Sequence, residues 1–283
     1  QANLRDCHAQ WILRANGRPF TSDARWKLHL NVLSPTELHE FLDFKAAHYE
    51  HPRFLEEDPI QLPHRFTQKE DIEIVAFIVS MIAWGNRKSI VKSGERILSI
   101  MGNSPYDFIM SYTGEIPSNF VHRTFNNEDL GGFFSCLNHV YTQHGGLESA
   151  FSKQVPDDNL KERICAFRER FFQGEHLSRT QKHVSNPASG SASKRLIMFL
   201  RWMVRSADKG VDFGLWKSIS SSELMIPLDV HTGNVARKLG LLTRTQNDWK
   251  TNEELIELFR SYDANDPAKY DFALFGLGAY EGF

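Results

Sequence analysis

Two short stretches, SGSASKRL (189–196) and IPLDVH (226–231), carry the residue types from which covalent chemistry can be built. In the first, Gly190, Ser191, Ala192 and Ser193 lead into Lys194 and Arg195, and then into the apolar run LIMFLRWMV (196–204). Small side chains in succession let another backbone come close, and N–H groups at the start of the following helix would face an anion such as a DNA phosphate. Lys194 stands at that start. The positive end of the helix dipole and the neighbouring Arg195 disfavour its ammonium form, so a partly desolvated Lys194 is a candidate nucleophilic amine. In the second stretch Pro227 favours an extended entry, and Asp229 occupies the place of a helix cap. A carboxylate there would orient the amine and stabilise positive charge developing on a substrate. A plainer reading stands beside this one: a solvated first-turn lysine and an Asp229 that only caps.

Composition narrows the setting. The chain has 283 residues, 41% hydrophobic, with 21 Phe and 6 Trp, enough for one large domain or two lobes sharing an interface. Net charge is −2, which excludes polyanion binding through bulk charge. Residues 178–217 differ: eight Lys and Arg against Asp208 and Asp212 make a local +6 on an acidic remainder, which suits a phosphate contact or a solvated helix face. Cys7, Cys136 and Cys165 are far apart and without CxxC spacing, which argues for a reducing compartment and against a zinc ribbon or an iron–sulfur cluster. The 12 His include no HExxH, and His139 and His144, five apart, lie off one helical face. The longest apolar stretch, Ala76–Trp84 broken by Ser80, is too short to span a bilayer, and nothing reads as a signal peptide. The expectation is a cytoplasmic monomer without metal or cofactor.

The elements that must position these residues read as helices. Ser34-Pro35-Thr36-Glu37 and Thr67-Gln68-Lys69-Glu70 are capping boxes, and Thr251-Asn252-Glu253-Glu254 is a third. Ile74, Val75, Ile78, Met81 and Ile82 recur at helical spacing before Trp84-Gly85-Asn86 breaks the pattern, and Ile90, Ile97 and Leu98 resume it. Leu130 to Val140, Leu160 to Phe171, 196–204, 230–239 and a last helix opened by Pro267 follow, with Phe272, Ala273 and Phe275 assigned to the core. No alternating strand pattern of useful length and no repeat is present. The predicted class is all-α. Residues 1–33 lack a sustained period and are expected to be a loosely ordered extension, with the functional domain at 34–283.

Taken together, the two stretches resemble the helix–hairpin–helix DNA glycosylase superfamily, with its Gly-x-Gly-x-Lys hairpin and following Pro-Val-Asp-x-His. Gly190-Ser191-Ala192-Ser193-Lys194 matches the first and Pro227-Leu228-Asp229-Val230-His231 the second. The helices on either side of Trp84-Gly85-Asn86-Arg87 look like the pair that precedes the hairpin there. From about Leu33 the chain also looks like a bacterial family of unknown function marked by AWGNRK (83–88), GSASKRL (190–196) and DFALFGLG (271–278). The broad likeness covers roughly 70–283, and only the two short motifs are specific. Ala192 replaces the second hairpin Gly, and 35 positions separate Lys194 from Asp229, a long connection for the superfamily. The resemblance implies two helical lobes with a cleft between them. It implies double-stranded DNA carrying a damaged base as partner, flipped into a pocket between the lobes. Lys194 would attack the sugar C1′ and expel the base, giving a Schiff base that permits strand cleavage, with Asp229 as its electrostatic and proton-transfer partner. Arg195 and His231 would contact phosphate beside the hairpin, while Trp84, Asn86 and Arg87 would support the opened duplex. A DNA-binding module without excision chemistry and an all-α interaction protein are the alternatives.

Overall fold

The computed structural model describes residues 33–153, 155 and 158–283; the expectation for the N-terminal extension falls, except for Leu33, outside them. Ser34 and Glu37 form the reciprocal box expected of them, and α1 runs Pro35–Tyr49. Three short 3₁₀ turns then lead to α2, Lys69–Met81. The second expected box is absent: α2 begins after Gln68, which makes no side-chain cap, so Thr67 stands one residue too early. Trp84-Gly85 interrupts as expected, and the Asn86 side chain caps α3, Arg87–Met101. Then come α4, Pro105–Met110, and a feature too short to leave a period in the sequence, the hairpin of β1 (Val121–His122) and β2 (Phe125–Asn126).

Next are α5, Asn127–His144, ended at Gly145, the single turn α6, Leu147–Ala150, and α7, Leu160–Phe171. The 178–193 segment is 3₁₀ turns and a tight hairpin before α8, Lys194–Val204. Asp229 then caps α9, Val230–Lys238, as its sequence predicts. For α10, Trp249–Tyr262, the cap is Asp248; Thr251 lies inside the first turn with its N–H donating to the Asp248 carboxylate, so the third expected box is displaced by three residues. Pro267–Lys269 is a 3₁₀ turn, and α11 runs Tyr270–Ala279. The described residues are all-α with one two-stranded exception.

One continuous apolar core holds these helices. At its centre Phe77 of α2 meets the rings of Phe133, Phe167, Phe171 and Phe199 from three other helices. Each Phe so buried contributes about 1.5–3 kcal/mol of transfer free energy. Helix α2 packs on α8 and α4, and α5 on α4, α6 and α7; α1 lies along α11, and α9 packs on α11. The α1–α11 contact depends on Gly276, where a Cβ would stand 2.0 Å from the ring of Tyr49. Helices α8 and α9, which open with the two candidate chemical residues, thus belong to different packing neighbourhoods.

Candidate active site

The hairpin before α8 is made by backbone geometry and serine side chains. Asn186 caps the turn Pro187–Ser189 through the Ala188 N–H, 2.9 Å away. Gly190 follows at φ 87°, a left-handed conformation that L side chains adopt at a cost, with open space where a Cβ would be. Its carbonyl accepts from the Trp249 N–H at 2.9 Å, and Ser191 bridges to Asp248, which ties the hairpin to the start of α10. Ala192 stands where the hairpin of the resembled superfamily has its second Gly. Ala192 is buried outside the left-handed region, and Ser193 takes that role instead, at φ 49°. The Ser193 N–H is already used by the Ser191 Oγ, 3.1 Å away, whereas no side chain caps the first turn of α8. The donors left to an anion are those of the helix start itself.

Lys194 leaves this helix start toward Asp229. Its Nζ lies 3.8 Å from Asp229 Oδ2, with 30% of the lysine side chain and 37% of the aspartate side chain exposed. The other carboxylate oxygen, Oδ1, accepts from the Thr232 N–H at 3.0 Å and caps α9. One carboxylate therefore does two jobs with two atoms, and the capping and chemical readings of Asp229 are compatible. Behind the pair are two buried carboxylates. Burial pushes Asp271 of α11 above the usual carboxylate range; Arg201 and Lys194 oppose this, and Asp229 adds to it. Burial likewise pushes Asp58 up, against the backbone N–H of Ile60 and the charges of Arg201, Arg87 and Lys194. Neither residue carries a motif visible in the sequence; only folding brings them within electrostatic reach of the amine.

The other expected contact residues divide. Gly190, Asn86 and His231 are exposed, and Ser191 is partly so. Arg195, expected to hold phosphate, points inward: its guanidinium donates to the Met81 carbonyl at the end of α2 and lies 4.7 Å from the Trp84 ring centroid. Burial pulls it down to about 10. Trp84, expected beside the opened duplex, is half-buried, stacked on His183 and edge-on to His122. Arg87 covers the ring of Phe275 at 4.4 Å, and Phe275 is only half-buried where core was expected. His64 meets the Val211 carbonyl, as a loop histidine often does, and Arg65 pairs with Glu95.

Near Trp84 the structure adds residues to which the sequence assigned no role. His183 sits 3.2 Å from the buried Asp129, which also accepts from Thr180 at 2.8 Å; burial holds the His183 imidazole down to about 4 although Asp129 opposes it. His122 bonds Ser93 at 2.8 Å and reaches the Trp84 carbonyl at 3.4 Å. The hairpin turn it anchors holds Arg123 in the left-handed region at φ 56°, its guanidinium against Gly85.

Two surface hollows, about 580 Å³ beside Arg65 and Glu95 and about 440 Å³ beside Asn138 and His139, are not lined by Lys194 or Asp229. Among the described residues no group of three or more His, Cys, Asp or Glu is gathered as for a metal ion, and no helix is long and apolar enough to cross a membrane. One family, described as protein of unknown function (DUF2400), matches residues 58–280. The chain belongs to that family. No curated protein and no solved structure matches it. The matched span of this DUF2400 chain includes the 84–87 turn, the hairpin, Lys194, Asp229, Asp58 and Asp271, and begins after α1.

Proposed function

We propose that this DUF2400 chain is a DNA base-excision glycosylase with lyase chemistry through Lys194. One observation carries the reading: residues 35 positions apart, each at the start of a helix, meet at 3.8 Å with both side chains partly open to solvent. The helix groups around α2–α8 and around α1, α9 and α11 would be the two lobes, with the damaged base received between them. The Lys194 amine, once deprotonated, adds to C1′ of the flipped nucleoside while the glycosidic bond breaks and the base leaves with the bonding pair and takes up a proton. Loss of the ring-oxygen bond gives the Schiff base, and removal of a C2′ proton then expels the 3′ phosphate. Asp229 Oδ2 stabilises positive charge at the sugar and accepts the lysine proton. Oδ1, held by the cap, fixes the direction in which Oδ2 points.

The test is borohydride trapping on duplex DNA carrying an abasic site, followed by a panel of lesion bases. The expected result is a covalent adduct at Lys194 that disappears in Lys194→Gln, with DNA affinity retained. Salt-dependent DNA binding without an adduct in the wild-type chain would replace the enzyme with a DNA-binding module, and failure to bind DNA at any salt concentration would leave an interaction protein.

A further inference from the structure

Lys194 and Asp229 belong to helices that do not pack closely on one another, so something else must fix their separation. The links across run through two arginines of α8. Arg201 is seven residues after Lys194, on the same helix face and about 10 Å along the axis. Its Nη1 meets Asp271 Oδ2 at 2.5 Å, its Nε lies 3.4 Å from Asp212 Oδ1, and its guanidinium covers Phe272 at 4.4 Å. At the end of α8, Arg205 meets Glu50, the C-cap of α1, at 2.8 Å, Asp212 at 2.7 Å, and Asp266 just before α11 at 2.7 Å. Arg201, Arg205, Asp212 and Asp271 are buried. Helix α11 in turn packs on α9, whose cap is Asp229; Gly278 brings it close enough that a Cβ would lie 3.1 Å from Val235.

This buried ionic patch is costly for a protein that needs only stability. Apolar side chains of similar volume would serve equally well or better, because two desolvated charges regain little beyond their desolvation. Arg201 Nε and Asp212 Oδ1 face each other at 3.4 Å as an ion pair, yet among the described residues neither makes a hydrogen bond, a cost that calls for a reason. Directional ion pairs supply what apolar packing does not: a fixed distance and angle between two bodies.

We propose that the Arg201–Asp271 pair, braced by Arg205, is a positioning device that sets the distance between the Lys194 amine and the Asp229 carboxylate. This rests on the glycosylase reading for its catalytic consequence, but the geometric claim stands without DNA. The deciding variant is Arg201→Met with Asp271→Leu, which removes both charges without stranding either; Arg201→Lys and Asp271→Asn accompany it, Arg201→Lys as the milder change should the double variant not fold.

Two readouts are taken. The first is the rate of amine acylation at Lys194, resolved by mass spectrometry across pH in the absence of DNA. The double variant is expected to shift this profile toward that of Asp229→Asn and to leave it unmoved in an Asp229→Asn background, whereas a pair that reaches the amine only through its own charges would move the profile in both backgrounds. The second is the trapping rate at saturating abasic DNA, expected to fall on the order of 10- to 100-fold with DNA affinity within about twofold, since displacement by 1 Å has that effect on aligned reactants. A folded double variant, or a folded Arg201→Lys where the double variant fails, with the wild-type acylation profile overturns the proposal. A wild-type chain that never traps DNA, while the acylation profile still moves, overturns the glycosylase reading and leaves the positioning claim intact.

Discussion

Asp229 offers the sharpest separation of structure from chemistry, because its two oxygens do different work. Asp229→Asn keeps an oxygen to accept from Thr232 and removes the charge 3.8 Å from Lys194. At that distance the bare attraction is about 1 kcal/mol at the dielectric of water and about 4 kcal/mol at an effective dielectric of 20. With both side chains about a third exposed, the lower figure governs, and exposed pairs contribute ~0–1 kcal/mol. Asparagine caps about as well as aspartate, so Asp229→Asn is expected to cost at most about 1 kcal/mol. Asp229→Ala loses the cap as well, worth typically ~1 kcal/mol, for a total near 2 kcal/mol. Urea denaturation measures both, and a Lys194→Ala/Asp229→Ala cycle isolates the pair itself. The chemical effect is expected in the opposite order of size: base excision falls about 100-fold or more in Asp229→Asn, though the fold is barely touched. Equal destabilisation by Asn and Ala would refute the assignment of Oδ1 to the cap. Excision at the wild-type rate in Asp229→Asn would refute the assignment of Oδ2 to the chemistry.

His183 is expected to stay neutral down to about pH 4, read from its imidazole proton shift in an NMR titration. The unfolded chain takes up that proton near pH 6.5, so the site contributes stability that is present above pH 6.5 and lost as pH falls toward 4, by up to about 1.4 kcal/mol per pH unit. His183→Asn should flatten that part of the stability curve relative to wild type. Ser193→Gly relieves a left-handed serine and is expected to stabilise the chain by ~1 kcal/mol in thermal or urea unfolding, without altering Lys194 reactivity. Gly190→Ala meets no atom but must hold φ 87°, so a loss of about 1 kcal/mol is expected, and a larger loss would reveal a contact at the hairpin.

The helices were legible because their signals are local. Ser34 with Glu37, the apolar spacing of α2 and the Asp before Val230 each act within one or two turns, and each element forms where those signals put it. The errors have equally local causes. Thr67 and Thr251 fit a capping pattern, but Gln68 and Asp248 hold the cap positions, because the composition of a box does not fix its register. Lys194 and Asp229 were legible as a pair, since each opens a helix in a motif of its own. Asp58 and Asp271 were not: one follows Glu56 and Glu57, the other lies in an apolar run, and their proximity to Lys194 exists only after the turn that Asp58 caps, α8 and α11 are assembled. Arg195 shows the limit of reading by type, since a cation beside a cation looked like surface until the end of α2 supplied a carbonyl and an indole for it.

That inward turn of Arg195 makes sense of its neighbour. Successive helix residues point about 100° apart, so a first turn that sends residue 194 to solvent sends residue 195 toward whatever lies at its side. Here that is the last turn of α2, and the contact is a charge-assisted hydrogen bond to Met81, reinforced by the face of Trp84. The same Trp84 is held by His122 and His183, which bind Ser93 and Asp129 on separate elements. The hairpin that presents Lys194 and the turn that presents Asn86 are thereby fixed to each other, not independently mobile loops. For Trp84 itself to reach an opened duplex this assembly would have to break, whereas Asn86 and Arg123 already stand exposed at its rim. If DNA is opened at this end of the molecule, those two residues meet it first, while Trp84 and Arg195 keep the lysine where the aspartate can reach it.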